Sequence, residues 1–183
     1  INNSNEIKID LKINENNSET KTPISFIDKG YDPSDIRYTF LSLVQETYPH
    51  GYEEQVATLL PDVETDEFGN YYKVIGNSKT MFASHLDTQS EQKYEISLFS
   101  SELNGSEIIS TDGNTILGAD DKAGVALMIY MMYHQVPGIY YFFIGEERGG
   151  VGSGEVSKSF DNITHLSGVE RCISFDRRDN HSV

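Results

Sequence analysis

The sequence predicts a three-layer α/β sandwich around a mixed, mostly parallel sheet. Three observations carry that expectation. From residue 80 onward, apolar runs of strand length alternate with segments of helical period, the pattern of a sheet flanked by helices. Residues 139–144, Ile-Tyr-Tyr-Phe-Phe-Ile, form an unbroken apolar run, as a strand covered on both faces requires. Acidic or imidazole side chains stand at the ends of these elements, where open α/β sheets gather their ligands.

Residues 1–30 differ from the rest and read as an appended strand or arm, leaving 31–183 as the main domain. Within the arm, Ile7, Ile9, Leu11 and Ile13 alternate with Lys8, Asp10 and Lys12, the period of a half-buried strand, and 14–22 is polar and loop-like. A helix is expected to begin near Asp32-Pro33-Ser34, where Asp or Ser can cap and Pro suits a first turn. Ile36, Phe40, Leu43 and Val44 continue it at helical spacing until Pro49 and Gly51. Residues 52–60 suggest a second short helix. Glu67-Phe68-Gly69-Asn70 reads as a turn between two strands, the second covering residues 71–75.

Thr80-Met81-Phe82-Ala83 reads as a buried strand running into Ser84-His85-Leu86-Asp87. Residues 94–99 and 108–110 resemble the arms of a hairpin with Asn104-Gly105 near its turn. Val125, Met128, Ile129 and Met132 mark an amphipathic helix that ends before Pro137-Gly138. Cys172-Ile173-Ser174-Phe175 is a last short strand.

Bulk composition narrows the function classes. Basic residues number 14 and acidic ones 29, for a net charge of −15, which repels phosphate backbones and argues against a nucleic-acid partner. No apolar run approaches the roughly 20 residues of a membrane span, and the polar, asparagine-rich start is unlike a secretory signal. Cys172 is the single cysteine, which excludes an intramolecular disulfide, and it reads as a buried small hydrophobe. A soluble, cytoplasmic protein is expected.

The chemistry is expected where acids follow strands: His85 and Asp87 after one, Glu146 and Glu147 after another, Asp176 after the last, with Asp120 and Asp121 opening the helix beside them. Such a cluster repels itself unless cations neutralise it. Its nitrogen and oxygen donors suit zinc, manganese or cobalt. Two metals about 3.5–4 Å apart, bridged by a carboxylate and a water, are the standard hydrolytic arrangement for such a set. Taken singly, each piece has a bland explanation. Asp120 could be a helix N-cap, Glu146-Glu147 a solvated loop, and Asp176 a surface ion pair with Arg177 or Arg178. Their joint occurrence in this order is what favours a metal site. A calcium loop of the D-x-D-x-D-G type is absent.

Four segments resemble the dinuclear zinc exopeptidases: Ser84-His85-Leu86-Asp87-Thr88, Gly118-Ala119-Asp120-Asp121-Lys122-Ala123-Gly124, Gly145-Glu146-Glu147-Arg148-Gly149-Gly150, and Ser174-Phe175-Asp176. The pattern is nearest that of peptidase T and the carboxypeptidase G-like enzymes. Asp112-Gly113-Asn114-Thr115-Ile116-Leu117 matches the former especially well. The resemblance covers roughly residues 34–178, and its Asp-Asp-Lys segment is the most specific part.

The resemblance implies two zinc ions, with manganese or cobalt as alternatives. It makes His85 a terminal ligand of one metal, Asp120 the bridge, Glu147 a ligand of the second and Asp176 the completing ligand of the first. Asp87 would stand behind His85 and take its other ring N–H, and Glu146 would be the general base. The substrate implied is a peptide or N-acyl amino acid cleaved near a chain end, and the peptide bond after Asp120 is expected to be cis.

The family's final histidine ligand and its lid or dimerisation domain have no counterpart at the matching spacing. His181 follows Asp176 too closely, and His50, His134 and His165 read as surface or packing residues. Three readings stay open: a fragment whose remainder supplies the histidine, a subunit (as in a homodimer) that borrows it from a partner, or a non-catalytic metal- or peptide-binding protein. The stop soon after a core strand favours the fragment, and the start at Ile1 suits a processed product as well as a fragment.

Overall fold

The structure, a computed structural model, describes residues 21–25 and 32–176. The expected strand through Ile7 to Ile13, the boundary at residue 30, and Arg177, Arg178 and His181 lie outside the described residues. A short strand β1 (Thr22–Pro23) belongs to the segment read as an arm, and it pairs antiparallel with a hairpin strand of the main domain.

Helix α1 (Ile36–Leu43) starts where the carboxylate of Asp35 accepts the Tyr38 N–H at 2.9 Å. Asp32, expected at the cap, instead closes a turn by accepting the Ser34 N–H and hydroxyl at 3.0 and 2.6 Å. The helix stops at Leu43, short of Pro49, because the following backbone is taken by a different partner. Ile96 N–H donates to Gln45 O at 2.8 Å, and Thr47 N–H donates to Tyr94 O at 2.9 Å. That pairing also trims the hairpin: its strands are β5 (Leu98–Leu103) and β6 (Ser106–Thr111), not residues 94–99 and 108–110. Asn104 and Gly105 form the turn with φ of 52° and 78°, the double positive φ that suits strand twist.

A second helix, α2 (Glu53–Ala57), precedes strands β2 (Glu64–Thr65) and β3 (Tyr71–Ile75). The turn between the strands is tied by Asp66, whose Oδ1 accepts the N–H of Phe68 and of Asn70, both at 2.9 Å. Strand β4 (Thr80–His85), helix α3 (Ala119–Tyr133), strand β7 (Gly138–Phe143), helix α4 (Val151–Ser159) and strand β8 (Arg171–Ser174) complete the frame.

The main sheet runs β2-β3-β7-β4-β8. It is mixed: β7–β4 and β4–β8 are parallel, whereas β2–β3 and β3–β7 are antiparallel. Alternation along β4 and β7 sends side chains to opposite faces. Phe82, Tyr140 and Phe142 pack under α1, α2 and α3 with Leu43, Val56, Val125, Met128 and Ile129. Met81, Ala83, Ile139 and Tyr141 pack on the other face with Val156 of α4, Ile163 and Leu166. These are the three layers. A third cluster, Leu41, Val44, Ile96 and Leu98, seats the hairpin on α1.

Two expectations change. Helix α3 is buried on most sides rather than amphipathic, since the main sheet and α1 enclose it, and only Asp120, Ala123 and Tyr133 are exposed. Cys172 is exposed, not buried, because β8 lies at the edge of the described sheet and all four of its residues are exposed. No helix among the described residues is long and apolar enough to cross a membrane.

Buried Asn70 fastens the two halves of the frame. Its Oδ1 accepts the Ile144 N–H at 3.2 Å, and its amide donates to Asp66 Oδ2 at 2.9 Å. Gly152 of α4 sits directly against it, and an added Cβ would overlap the Asn70 amide oxygen. Gly152→Ala is therefore expected to lower stability by about 1–3 kcal/mol, read as a reduced urea midpoint at unchanged slope.

Candidate metal centre

Parallel pairing sets the site. Because β4, β7 and β8 point the same way, their carboxyl ends share one edge of the sheet, and the residues that follow them converge there. His85 ends β4 and is 1% exposed. Its Nε2 lies 3.1 Å from Asp120 Oδ1 and 4.0 Å from Glu146 Oε2. Ligand atoms of His85, Asp120 and Asp176 fall within 4.8 Å of one another, as do those of His85, Glu146 and Glu147. All the acids singled out in the sequence as metal ligands or base thus meet around one imidazole.

The start of α3 divides labour between two aspartates. The Asp120–Asp121 peptide is cis, and both residues have non-helical φ and ψ. Asp121 is the buried capping residue: its Oδ1 accepts the Gly124 N–H at 3.2 Å and its Oδ2 accepts the Ser84 hydroxyl at 2.6 Å. Asp120 is left exposed and turned to His85.

Asp87 sits behind His85 with a wider role than expected. His85 Nδ1 lies 3.0 Å from the Asp87 main-chain oxygen and 3.4 Å from its Oδ1. The carboxylate of Asp87 accepts the N–H of Glu146 at 2.9 Å and of Glu147 at 3.0 Å. It therefore orients the turn carrying both glutamates as well as the imidazole.

The electrostatics follow from crowded acids in a half-closed place. Burial opposes a charge on His85, yet hydrogen bonds to Asp87 and Asp120 raise it to about 9. Burial raises Glu146 and Glu147, and neighbouring carboxylates add to it against the pull of His85. Burial pushes Asp121 up to about 6. Burial also acts upward on Asp87, but the His85 hydrogen bond and the Glu146 and Glu147 amides bring it below the usual aspartate range. The site thus favours a positive charge near His85 Nε2, which a proton or a divalent ion can supply. An imidazole with carboxylate oxygens is a donor set that fits zinc, manganese or cobalt.

Sequence reasoning overlooked the groups beneath the acids. Lys122 is fully buried and donates to Leu86 O and, at 3.4 Å, to Thr88 Oγ1. Burial lowers it to about 8, while Asp87, Asp121 and Glu53 favour its charge. Its signal was its place in the Asp-Asp-Lys segment. Glu53, also buried, gave none, since an acid in a helix's first turn is ordinarily solvated. Of the histidines set aside, His134 packs on Tyr130 and Tyr133, and His165 stacks on Tyr72 at 3.9 Å. His50 instead bonds Glu53 at 2.6 Å. A cleft of about 240 Å³ beside the acids is lined by His50, Thr88, Gln89, Ser90, Glu91, Glu147 and Arg148.

No family model matches the chain. Over 35 residues it is 54% identical to peptidase T of Clostridium botulinum, in strains Hall, Langeland and Okra alike. That stretch is 19% of this chain and 9% of each curated relative, so the match spans less than a tenth of the relatives' length. Among solved structures, the PhTET1-12s dodecamer aligns with a TM-score of 0.42 at 15% identity, over 68% of this chain and 64% of that one. The TET1 peptidase of Pyrococcus horikoshii, which can assemble into a tetrahedron or a large octahedral shell, gives 0.43 at 15% identity, over 67% and 65%.

Lys122 is the buried cation that faces Asp87 and Asp121 from the core side. Lys122→Met keeps the volume but leaves those carboxylates without it. The expected cost is about 3–5 kcal/mol, measured by chemical unfolding.

Proposed function

We propose that this chain carries the metal-binding and acid–base residues of a zinc peptidase that hydrolyses a peptide or amide bond near a chain end. The observation that carries this reading is the cluster of Asp120, Glu146, Glu147 and Asp176 around His85. The short stretch of identity with peptidase T supports it.

In this reading His85 and Asp176 would hold one zinc ion and Glu147 a second, with Asp120 available to both. Manganese or cobalt would suit the same donors. Bound metal supplies Lewis-acid activation of water and of the scissile carbonyl at neutral pH. Asp87 fixes the ring of His85 from behind and holds the turn of Glu146 and Glu147 in place. Glu146 takes a proton from the attacking water and hands it to the leaving amine. Burial raises Glu146 from the ordinary glutamate range, toward the neutral region where a general base works best. The cleft beside Glu147 is the approach for a peptide or N-acyl amino acid.

Zinc stoichiometry by elemental mass spectrometry, with tripeptide hydrolysis in parallel, tests this. The wild-type chain is expected to bind zinc and to lose hydrolysis on chelation, with recovery when zinc or cobalt is returned. Glu146→Gln should retain zinc and lose about 10²–10⁴-fold in rate, whereas His85→Ala should lose the metal itself. A wild-type chain that binds no zinc overturns the metal centre. Tight zinc binding without hydrolysis, in this chain and in a longer one that supplies the final histidine, would favour a non-catalytic metal- or peptide-binding role.

A further inference from the structure

The turn Gly145-Glu146-Glu147 carries two acids of the candidate centre, and each of its backbone N–H groups ends on a buried carboxylate. Those of Glu146 and Glu147 go to Asp87. That of Gly145 goes to Glu53 Oε1 at 3.1 Å. Glu53 is 5% exposed, and it comes from α2, far from the sheet edge in sequence. Both of its oxygens have further partners: Oε2 takes the Gly51 N–H at 2.6 Å, and Oε1 meets His50 Nδ1 at 2.6 Å.

His50 is held on Gly145 by this bond. A Cβ at Gly145 would lie 2.9 Å from His50 Nδ1 and 3.0 Å from Cε1, so the ring rests on the turn with no space between them. The same ring lines the cleft with Glu147 and Arg148. Glu53 therefore fixes the turn twice, by its backbone and by the ring packed on it.

We propose that Glu53 is a positioning residue of the metal centre, setting the Gly145 turn and the His50 ring so that Glu146 and Glu147 stand at bonding reach of metal and water. This rests on the metal reading given above. The requirement is for a carboxylate, because the two backbone groups facing Glu53, one on each of its oxygens, are N–H donors. A glutamine in either flip would set its NH₂ against the Gly51 N–H or against the Gly145 N–H. Loss of a residue that orients a metal ligand typically costs about 10–100-fold in metal affinity.

The test uses Co²⁺ as probe on the full chain, following visible absorption and affinity, with circular dichroism to report folding. Glu53→Gln is expected to stay folded, to bind Co²⁺ about 10–100-fold more weakly and to alter the visible band. Glu54→Gln, its exposed neighbour on α2, should match the wild type. A folded Glu53→Gln protein with unchanged affinity and spectrum overturns the proposal. Amide hydrogen exchange on the wild type decides the matter should Glu53→Gln not fold. Gly145 is expected to exchange as slowly as Glu146 and Glu147, and exchange at the rate of an open turn overturns the anchoring by Glu53. Failure of the wild type to bind Co²⁺ overturns the metal reading, and the exchange rates still judge the anchoring on its own.

Discussion

Asp87 is the constraint on which the carboxyl edge of the sheet depends. It lies fully buried just beyond β4, and its two oxygens accept consecutive amides of the turn that follows β7. One strand end is thereby fastened to another through a charge-assisted pair of hydrogen bonds, stronger than neutral ones. The same residue presents its main-chain oxygen and a carboxylate oxygen to His85 Nδ1. Imidazole and glutamates take their relative positions from this one residue.

A buried carboxylate is tolerated only when its charge is answered. Lys122 answers it from within the core, between Asp87, Asp121 and Glu53, and it also holds the Leu86–Thr88 strap through Leu86 O and Thr88 Oγ1. Toward solvent the balance is the reverse. Asp120, Glu146, Glu147 and Asp176 surround a single imidazole; burial and neighbouring acids raise Glu146 and Glu147, whereas hydrogen bonds to Asp87 and Asp120 raise His85 against its burial. The inner layer is therefore partly offset by the protein's own lysine. The outer layer has an excess of acid that invites a cation.

Much of the frame was legible locally. Period and turn chemistry located β3, β4 and β7 closely, and Asn104-Gly105 marked the hairpin turn. Where local reasoning missed, a non-local partner had intervened. Residues 45–47 pair with 94–96, which shortens α1 and displaces the hairpin strands, and no pattern in either segment announces that contact. Cys172 sits in an apolar run that reads as buried, but the position of β8 at the described sheet's edge exposes it.

By itself the sequence determined which residues could do chemistry. His85, Asp87, Asp120, Glu146, Glu147 and Asp176 each stand at an element boundary, and such boundaries are written in short-range periodicity. Only the tertiary structure decided that these boundaries share one edge, because that follows from the parallel order of β7, β4 and β8, whose segments lie far apart in the chain. The resemblance already favoured Asp120 over Asp121, and the structure adds the physical reason, turning Asp121 inward to cap the helix while Asp120 faces His85. It alone revealed Glu53, too, for a buried acid and a solvated one look the same in sequence. The difference is made by the Gly51 and Gly145 amides and the His50 ring that fill its acceptor sites.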